Sequence, residues 1–280
     1  MKGAPVAKAL TERLVPQVEA LVAQGVRPTL AIVRVGERED DLSYERGATK
    51  RADKVGLGLR KFVLPAECSQ EQLMHVINEV NEDSSIHGCL MFRPLPKTLD
   101  EAAACAALDP AKDVDCITTG SLYGVFANRP LGFPPCTAEA VLELLDYYKV
   151  PLDGAKVTVV GRSLVIGKPV SMMLQARNAT VTMCHTHTRD LVAACKDADV
   201  VVAAAGHIGT VGAACAAPQE VVVDVGINWD EKAGKLVGDV DYDAVEPVVR
   251  AITPVPGGVG SVTTAVLAKH VIEAAQRMVG

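Results

Sequence analysis

The chain has 280 residues, of which 49% are apolar, and it carries a formal net charge of −6. This length favours two domains with sizeable cores over one small domain. Because nucleic-acid binding needs a basic face and the sequence has no Lys/Arg-rich run, we expect no nucleic-acid partner, while a small anionic ligand held by local cations stays open. No apolar stretch approaches the length of a membrane span, so we expect no membrane association.

Eight cysteines are scattered along the chain, and no two of them form a CxxC pair. Such spacing is typical of reduced, mostly buried thiols in a cytoplasmic protein, and a disulfide framework or a zinc site would show closer pairing. No pair of histidines has metal-ligand spacing with a carboxylate nearby. We therefore predict a cytoplasmic protein without a bound metal.

The first half of the chain alternates helical and β-rich segments. A buried parallel strand is predicted at 29–35, further strands at 59–64 and 87–92, and helices at 5–24 and 42–55. Asp40 or Asp41 is predicted to cap the second helix, and a further helix begins with a capping box at Ser69 and Gln72. Residues 109–122 are polar and predicted to be irregular. The alternation predicts a parallel α/β sheet.

The second half repeats this alternation. Strands are predicted at 157–160, 179–183, 199–204 and 221–225. Helices are predicted at 138–148, capped by Thr137, at 168–177 and at 189–196, with a last helix that starts at Ser261 or Thr263. We place the domain junction near the helix at 138–148.

A glycine turn follows the strand at 157–160, and its sequence is GRSLVIGKP. A strand, a glycine turn and a helix in this order present backbone N–H groups to a phosphate, and Arg162 with Ser163 adds a cation and a hydroxyl. The turn matches neither GxGxxG nor the P-loop pattern, so a structural turn without a ligand is the alternative.

The next strand ends in Cys-His-Thr-His-Thr at 184–188 and has no acidic residue there. An acidic residue at this point would accept the ribose hydroxyls of NAD and would repel a 2′-phosphate. Hydroxyl and imidazole groups tolerate that phosphate. The pattern therefore favours NADP over NAD as the cofactor.

Motifs in both halves of the chain, taken together, resemble a known family, the bifunctional methylenetetrahydrofolate dehydrogenase/cyclohydrolases. They are, in chain order, PTLAIVRVG, KDVD, FPPCT, VVGRSLVIGKP, NATVTMCHTHT, VVDVGIN, GDVDY and TPVPGGVGSVT. The resemblance covers nearly the whole chain, and the GRSxxxGxP and PGGVG pair is its most specific part.

The resemblance implies an α/β fold of two domains. A parallel folate-binding domain would comprise 1–138 completed by a C-terminal helix at 263–280, and a Rossmann-like NADP-binding domain would comprise 139–262, with a cleft between the two. It also implies a homodimer and a tetrahydrofolate derivative as substrate. In this family a methylene bridge gives a hydride to the cofactor, and water then opens the methenyl product to 10-formyltetrahydrofolate.

The resemblance also implies the site residues. Tyr44 would stack on the folate and Asp115 would bind its pterin ring, and we take Tyr44, Lys50 and Asp115 as the catalytic candidates. The substrate-binding candidates are Tyr44, Phe92, Arg93, Asp115, Pro256, Gly257 and Gly258. The cofactor-binding candidates are Gly161, Arg162, Ser163, Gly167, His185, Thr186, Ile227 and Thr263.

The sequence departs from the family pattern around the tyrosine. The family lysine four residues after it is Ala48 here, and Lys50 lies roughly 120° away around the helix. Phe92 replaces the glutamine of VQLPLP, and the following Arg93 replaces an apolar residue. Smaller departures are Asp41 for serine, Cys116 for glycine, and Ser261-Val262 for Pro-Met.

We therefore expect hydride transfer, whereas cyclohydrolase activity is either lost or carried by other groups, of which Lys50 or Arg93 acting with Asp115 is one candidate. The alternatives for these residues are a solvated surface charge for Lys50, side-chain packing for Tyr44 and a turn cap for Asp115. For the whole chain, the alternatives are a dehydrogenase of the same scaffold with another substrate and a non-catalytic folate or nucleotide sensor.

Overall fold

The predicted alternation of helices and strands is present through the first half of the chain. The computed structural model describes residues 1–279. Its first eight elements are α1 (Gly3–Ala23), β1 (Thr29–Val35), α2 (Glu39–Val55), β2 (Gly58–Leu64), α3 (Gln70–Glu82), β3 (Gly88–Met91), α4 (Glu101–Ala107) and α5 (Thr119–Ala127). The two short helices α4 and α5 lie in stretches for which no helix was predicted.

The second half begins with the predicted strands and helices and adds a hairpin. Its elements are α6 (Cys136–Tyr147), β4 (Lys156–Val160), α7 (Gly167–Gln175), β5 (Thr180–Cys184), α8 (Leu191–Lys196), β6 (Val200–Ala203), β7 (Val221–Asp224), β8 (Asn228–Asp230), β9 (Lys235–Val237), α9 (Tyr242–Val245), β10 (Ala251–Ile252) and α10 (Thr263–Val279). Single turns of 3₁₀-helix cover Ala213–Cys215 and Val259–Ser261.

One compact unit contains Ala9–Cys136 and the chain from Thr264 onward. Its parallel sheet has the order β2-β1-β3, and we call it the three-stranded unit. The middle strand β1 is buried from Leu30 to Val35, as expected for a parallel strand covered by helices. Its residues there are apolar except Arg34, which is paired with Glu45. Its core residues, such as Val33 and Ile77, come from the sheet and from α3.

The other compact unit contains Met1–Lys8 and Thr137–Thr263. Its sheet is entirely parallel with the order β10-β7-β6-β4-β5, and we call it the five-stranded unit. The valine-rich strands β6 and β7 are fully buried. Residues 1–8 of the chain pack in this unit, whereas the family resemblance implies that they belong to the folate-binding domain.

Two predicted helix starts are confirmed. The capping box is confirmed, because Ser69 Oγ accepts a hydrogen bond from the Gln72 N–H and Gln72 Oε1 accepts one from the Ser69 N–H. The start of the last helix at Thr263 is also confirmed.

Three local predictions were wrong. The N-cap of α2 is Arg38, with extended backbone and no side-chain cap, so neither Asp40 nor Asp41 caps that helix. Helix α6 begins at Cys136, which places Thr137 inside its first turn. The stretch 109–122 is not irregular throughout, because Thr118 Oγ1 accepts from the Ser121 N–H and caps α5.

Among residues 1–279, no helix is both long enough and apolar enough to cross a bilayer.

Glu220, which precedes β7, is fully buried, and neither of its carboxylate oxygens has a hydrogen-bond partner in the described structure. Burial penalises the charged form and raises the pKa of Glu220 to about 7 from an ordinary value of 4.5. The folded protein therefore holds this proton more tightly than the unfolded chain, and its stability falls as pH rises between those two values.

We expect Glu220→Gln to raise the melting temperature at pH values above 7 and to change it little near pH 4.5, where the wild-type side chain is already protonated in the folded state. The full penalty at high pH is on the order of 3 kcal/mol. Thermal unfolding across this pH range checks the expectation. The exposed Glu231→Gln is the matched control, and an equal effect of the two substitutions at every pH would contradict the account.

Candidate active site

The glycine turn after β4 is tight because two backbone segments pass close to it. Gly161 has φ +136°, and a Cβ there would lie 2.1 Å from the carbonyl oxygen of Ala204. A Cβ at Gly167 would lie 2.3 Å from the carbonyl oxygen of Gly161. Both positions therefore require glycine, and the chain turns directly from β4 into α7.

Ser163 organises the start of α7. Its Oγ accepts from the backbone N–H of Ile166 at 3.1 Å and of Gly167 at 3.4 Å. The side chains of Arg162 and Ser163 are exposed beside this helix N-terminus. A cation, a hydroxyl and the positive end of a helix thus lie together, which is a suitable environment for a phosphate group.

The order of the strands puts this turn in a crevice. From β4 the chain passes to β5 on one side of the sheet, and β6 lies on the other side of β4. In open α/β sheets, ligands bind outside the carboxyl ends of the strands at such a switch point. Gly161 directly follows β4 and Ala204 directly follows β6. Their close approach therefore lies at the floor of this crevice.

Histidine and threonine side chains shape the loop after β5. The His185 N–H donates to Thr188 Oγ1 at 2.8 Å, and the His187 N–H donates to His185 Nδ1 at 3.1 Å. His185 is half-buried and Thr186 is exposed. The nearest acid in sequence, Asp190, accepts from the Ala193 N–H and caps α8. The loop end therefore offers imidazole and hydroxyl groups.

Two buried carboxylates hold the loops beyond β6 and β7, and the sequence analysis did not identify them. Asp239 Oδ2 accepts from the N–H groups of Ala205 and Gly206 at 2.6 and 2.9 Å. Asp224 accepts from the N–H groups of Gly226, Asp239 and Val240, each at 3.0 Å. Burial raises the pKa of Asp224 to about 6, although these hydrogen bonds oppose the rise.

A cavity of about 290 Å³ opens at the carboxyl end of β7. It brings together residues from the VVDVGIN and PVPGGVG motifs, among them Ile227, Pro256, Gly257 and Gly258. The Gly257 carbonyl accepts from the Gly3 N–H at 2.8 Å, so the first residues of the chain help to fix this loop. Thr263 Oγ1 donates to the Gly260 carbonyl at 3.1 Å, which supports the loop from its other end.

In the three-stranded unit, Tyr44 and Phe92 contact each other at the carboxyl end of the sheet. Their ring centroids are 5.9 Å apart in an edge-to-face arrangement. Tyr44 is half-buried in α2, and Phe92 directly follows β3 and is 8% exposed. Ala48 is buried on the same helix. The two positions that hold a lysine and a glutamine in the family pattern are therefore aliphatic and aromatic here.

The charged side chains of the KDVD segment have different contacts. Lys112 Nζ donates to the carbonyls of Val80, Asn81 and Asp83 at the end of α3. Asp113 accepts from the N–H groups of Ile117 and Thr118 and fixes the following turn. These two side chains are therefore occupied with the backbone.

Asp115 is the half-buried charged residue of this segment. Its Oδ1 accepts from the Cys136 N–H at 3.1 Å, and burial raises the pKa of its carboxyl. Cys116 follows with φ 60°, a left-handed conformation that explains the glycine of the family pattern.

Lys50 and Arg93, the candidates to act with Asp115, have different surroundings. Lys50 is exposed, and α2 is a regular helix through this position, so the roughly 120° separation from Tyr44 holds. Arg93 Nη1 lies 3.7 Å from Glu101 Oε1 on α4. The geometry brings Tyr44 and Phe92 together, whereas Lys50 is exposed and Arg93 lies beside Glu101.

Across residues 1–279, no cluster of three or more His, Cys, Asp or Glu side chains is arranged to hold a metal ion.

The five-stranded unit thus has the features of a doubly wound dinucleotide-binding domain, joined in one chain to a second parallel α/β unit. Family comparison specifies this class. Residues 135–279 match the model for the tetrahydrofolate dehydrogenase/cyclohydrolase NAD(P)-binding domain, and residues 1–115 match the model for the catalytic domain of the same family.

Curated relatives and solved structures agree with these matches. The chain is 50% identical over 281 residues to the bifunctional protein FolD of Carboxydothermus hydrogenoformans, covering 100% of this chain and 98% of the relative. It resembles the FolD structure from Campylobacter jejuni with a TM-score of 0.94 and 32% identity, over 99% and 98% of the two chains. The Trypanosoma brucei enzyme, solved with NADP and an inhibitor, has a TM-score of 0.92 and 35% identity, over 100% and 97%.

The chain belongs to the tetrahydrofolate dehydrogenase/cyclohydrolase family.

We expect Gly161→Ala to weaken NADP binding by more than about tenfold, because the new Cβ must displace the Ala204 carbonyl at the floor of the crevice. Calorimetric titration with NADP measures the change. Gly154→Ala is the matched control, since Gly154 also has positive φ, +75°, but its Cβ would meet nothing within 4 Å. Equal losses in the two variants would mean that backbone strain, and not the crevice, is responsible.

Proposed function

We propose that this chain oxidises 5,10-methylenetetrahydrofolate to 5,10-methenyltetrahydrofolate with NADP as hydride acceptor. The observation that carries the proposal is the glycine turn at the switch point of the five-stranded sheet, in a chain whose two halves match the NAD(P)-binding and catalytic models of one family. Relatives named as bifunctional FolD proteins match 100% and 98% of the chain, and the similar Campylobacter jejuni structure is named as a methylenetetrahydrofolate dehydrogenase/cyclohydrolase.

In the five-stranded unit, each group of residues has a separate task in cofactor binding. Arg162, Ser163 and the N-terminus of α7 hold phosphate oxygens, because they present a cation, a hydroxyl and the positive end of a helix. His185 and Thr186 accommodate the 2′-phosphate that distinguishes NADP from NAD. When bound, the nicotinamide supplies the hydride acceptor.

In the three-stranded unit, Tyr44 and Asp115 bind the folate. Tyr44 presents an aromatic face at the carboxyl end of the sheet, and Phe92 fixes the ring by its edge contact. The Asp115 carboxylate pairs with the amino-pyrimidine edge of the pterin through charge-assisted hydrogen bonds. Hydride transfer asks mainly for alignment, which these contacts provide without a proton-transfer group.

Hydrolysis of the methenyl product is a second candidate activity, because the curated relatives are named as bifunctional. Addition of water needs a positioned group that manages protons. On the face of Tyr44, Ala48 and Phe92 are apolar, and Lys50 is exposed on another side of α2. We infer that hydrolysis depends on Asp115 without a neighbouring lysine and is the slower of the two activities.

We also infer a homodimer in the cytoplasm. The family resemblance supports the dimer, and light scattering of the purified protein tests it. The cytoplasmic location is supported by the eight cysteines, which form no disulfide and are buried or half-buried.

The proposed reaction is tested by the growth of NADPH absorbance when purified protein receives methylenetetrahydrofolate and NADP. We expect turnover with NADP and weaker turnover with NAD. Absence of turnover with both cofactors, combined with tight folate binding in calorimetry, would identify a sensor. Absence of folate binding would identify a dehydrogenase with another substrate.

Cyclohydrolase activity is measured separately from the decay of added methenyltetrahydrofolate against a buffer blank. We expect an enzyme-dependent rate that is at least about tenfold below the rate of oxidation, since the missing general acid–base partner commonly contributes two orders of magnitude or more. Hydrolysis that keeps pace with oxidation would contradict the inference drawn from Ala48 and Phe92.

We expect Thr186→Asp to raise KM for NADP by about tenfold, because a carboxylate near the 2′-phosphate adds like-charge repulsion, and to change KM for NAD much less. Initial rates with both cofactors check this. Thr98→Asp, at an exposed position in the three-stranded unit, adds the same charge elsewhere and is the control. A similar change with NADP and NAD would show that Thr186 lies away from the 2′-phosphate.

A further inference from the structure

Asp41 lies in the first turn of α2, just after the carboxyl end of β1. Its side chain is only 6% exposed. A buried aspartate at the start of a helix usually caps it, but the N-cap here is Arg38, and no side chain caps this helix. Asp41 therefore does not cap α2, although its negative charge lies favourably in the first turn of the helix.

No residue in the described range 1–279 forms a hydrogen bond with the Asp41 carboxylate, and the nearby cations have other partners. Arg34 Nε donates to Glu45 Oε2 at 2.8 Å, and its Nη1 donates to the Gly36 carbonyl. Arg38 Nη1 donates to the Pro94 carbonyl at 3.1 Å. Burial raises the pKa of Asp41, so the protein bears a cost for keeping this carboxylate.

The carboxylate is buried but not sealed. In the described part of the chain, the fully enclosed side-chain oxygens or nitrogens that lack a partner belong to Thr49 and Glu220. The oxygens of Asp41 therefore keep some contact with solvent. A buried carboxylate that has no partner in the protein and still contacts solvent can meet a ligand that carries positive charge or N–H donors.

Asp41 shares a helix face with the residues that the family resemblance assigns to the folate. Residues 41, 44 and 48 are spaced by three and four positions, which places them along one side of α2. Neighbours at this spacing have Cβ atoms about 5–6 Å apart, so Asp41 lies beside Tyr44. The family pattern has serine at 41 and lysine at 48, whereas this chain has Asp41 and Ala48, which reverses the charge of that face.

Building on the proposed function, we propose that the Asp41 carboxylate is a substrate contact that stabilises positive charge on the one-carbon bridge of the folate. During oxidation the methylene C–H bond breaks and the hydride leaves with both electrons for the nicotinamide. The bridging carbon is left as a cation shared with N5 and N10, and no proton is released. A negative charge on this face favours that product and the transition state leading to it.

The same contact makes the site selective. Tetrahydrofolate carries no charge at the bridge position, while methenyltetrahydrofolate carries one positive charge there. The carboxylate therefore strengthens binding of the methenyl compound and leaves that of tetrahydrofolate nearly unchanged. A lysine on this face would have the opposite effect on the cation.

The experiment compares wild type with Asp41→Asn, which removes the charge and keeps the shape, and with Asp41→Ser, the residue of the family pattern. The inhibition constant of methenyltetrahydrofolate and the dissociation constant of tetrahydrofolate are measured for each. We expect both variants to weaken methenyltetrahydrofolate binding by about tenfold, to lower kcat for oxidation, and to change tetrahydrofolate binding by less than about twofold.

The control is Asp40→Asn, which removes the same charge from the same helix turn at an exposed side chain, and it should leave both constants unchanged. Equal weakening of both folates in the Asp41 variants, or no weakening of either, would overturn the proposal. If the Asp41 variants overturn the proposal but the wild-type protein still oxidises methylenetetrahydrofolate, the proposed function stands. A wild type that binds neither folate overturns both.

Discussion

Two buried carboxylates, Asp224 and Asp239, fix the geometry on which the five-stranded unit depends. Each accepts hydrogen bonds from backbone N–H groups of loops at the carboxyl ends of β6 and β7, and Asp239 Oδ1 also accepts from Asn228 Nδ2 at 2.9 Å. Loops at such an edge would otherwise carry unsatisfied donors. Because each carboxylate has several acceptor positions, one side chain can order two or three peptide groups at once. These hydrogen bonds fix the loops around the crevice, whereas the glycines of the turn only allow the backbone segments to approach each other closely.

The three-stranded unit uses charge in the same way at Lys112 and Asp113. The lysine satisfies three carbonyls at the C-terminal end of α3, and the aspartate satisfies two N–H groups of the next turn. Asp41 is the contrast, because it is almost as deeply buried and has no such task. In a family whose motifs include several acidic residues, the distinction between a carboxylate that holds the backbone and one that is left for a ligand comes from hydrogen bonds, not from residue type.

Sequence reasoning succeeded where the signal is local. Alternating apolar runs determine strands and helices over a few residues, and the capping box of Ser69 and Gln72 spans a single turn, so both were predictable. Asp239 could not be assigned a role because its partners Ala205 and Gly206 are more than thirty residues away. The hairpin β8–β9 was missed because its two strands have three residues each and little periodicity. The cap of α2 was assigned to the wrong residue because Asp40 and Asp41 stand near the start of the helix and either fits the preference for a capping side chain.

The edge contact between Tyr44 and Phe92 has a consequence for inhibitor selectivity. A compound designed to hydrogen-bond the lysine and the glutamine of the family pattern would find Ala48 and Phe92 here, and its polar groups would be desolvated without compensation. A compound that presents an aromatic or aliphatic surface to the same place would gain contact with both rings. Antifolates could therefore be made to discriminate between this enzyme and relatives that retain the polar pair, even though the cofactor-binding motifs are shared.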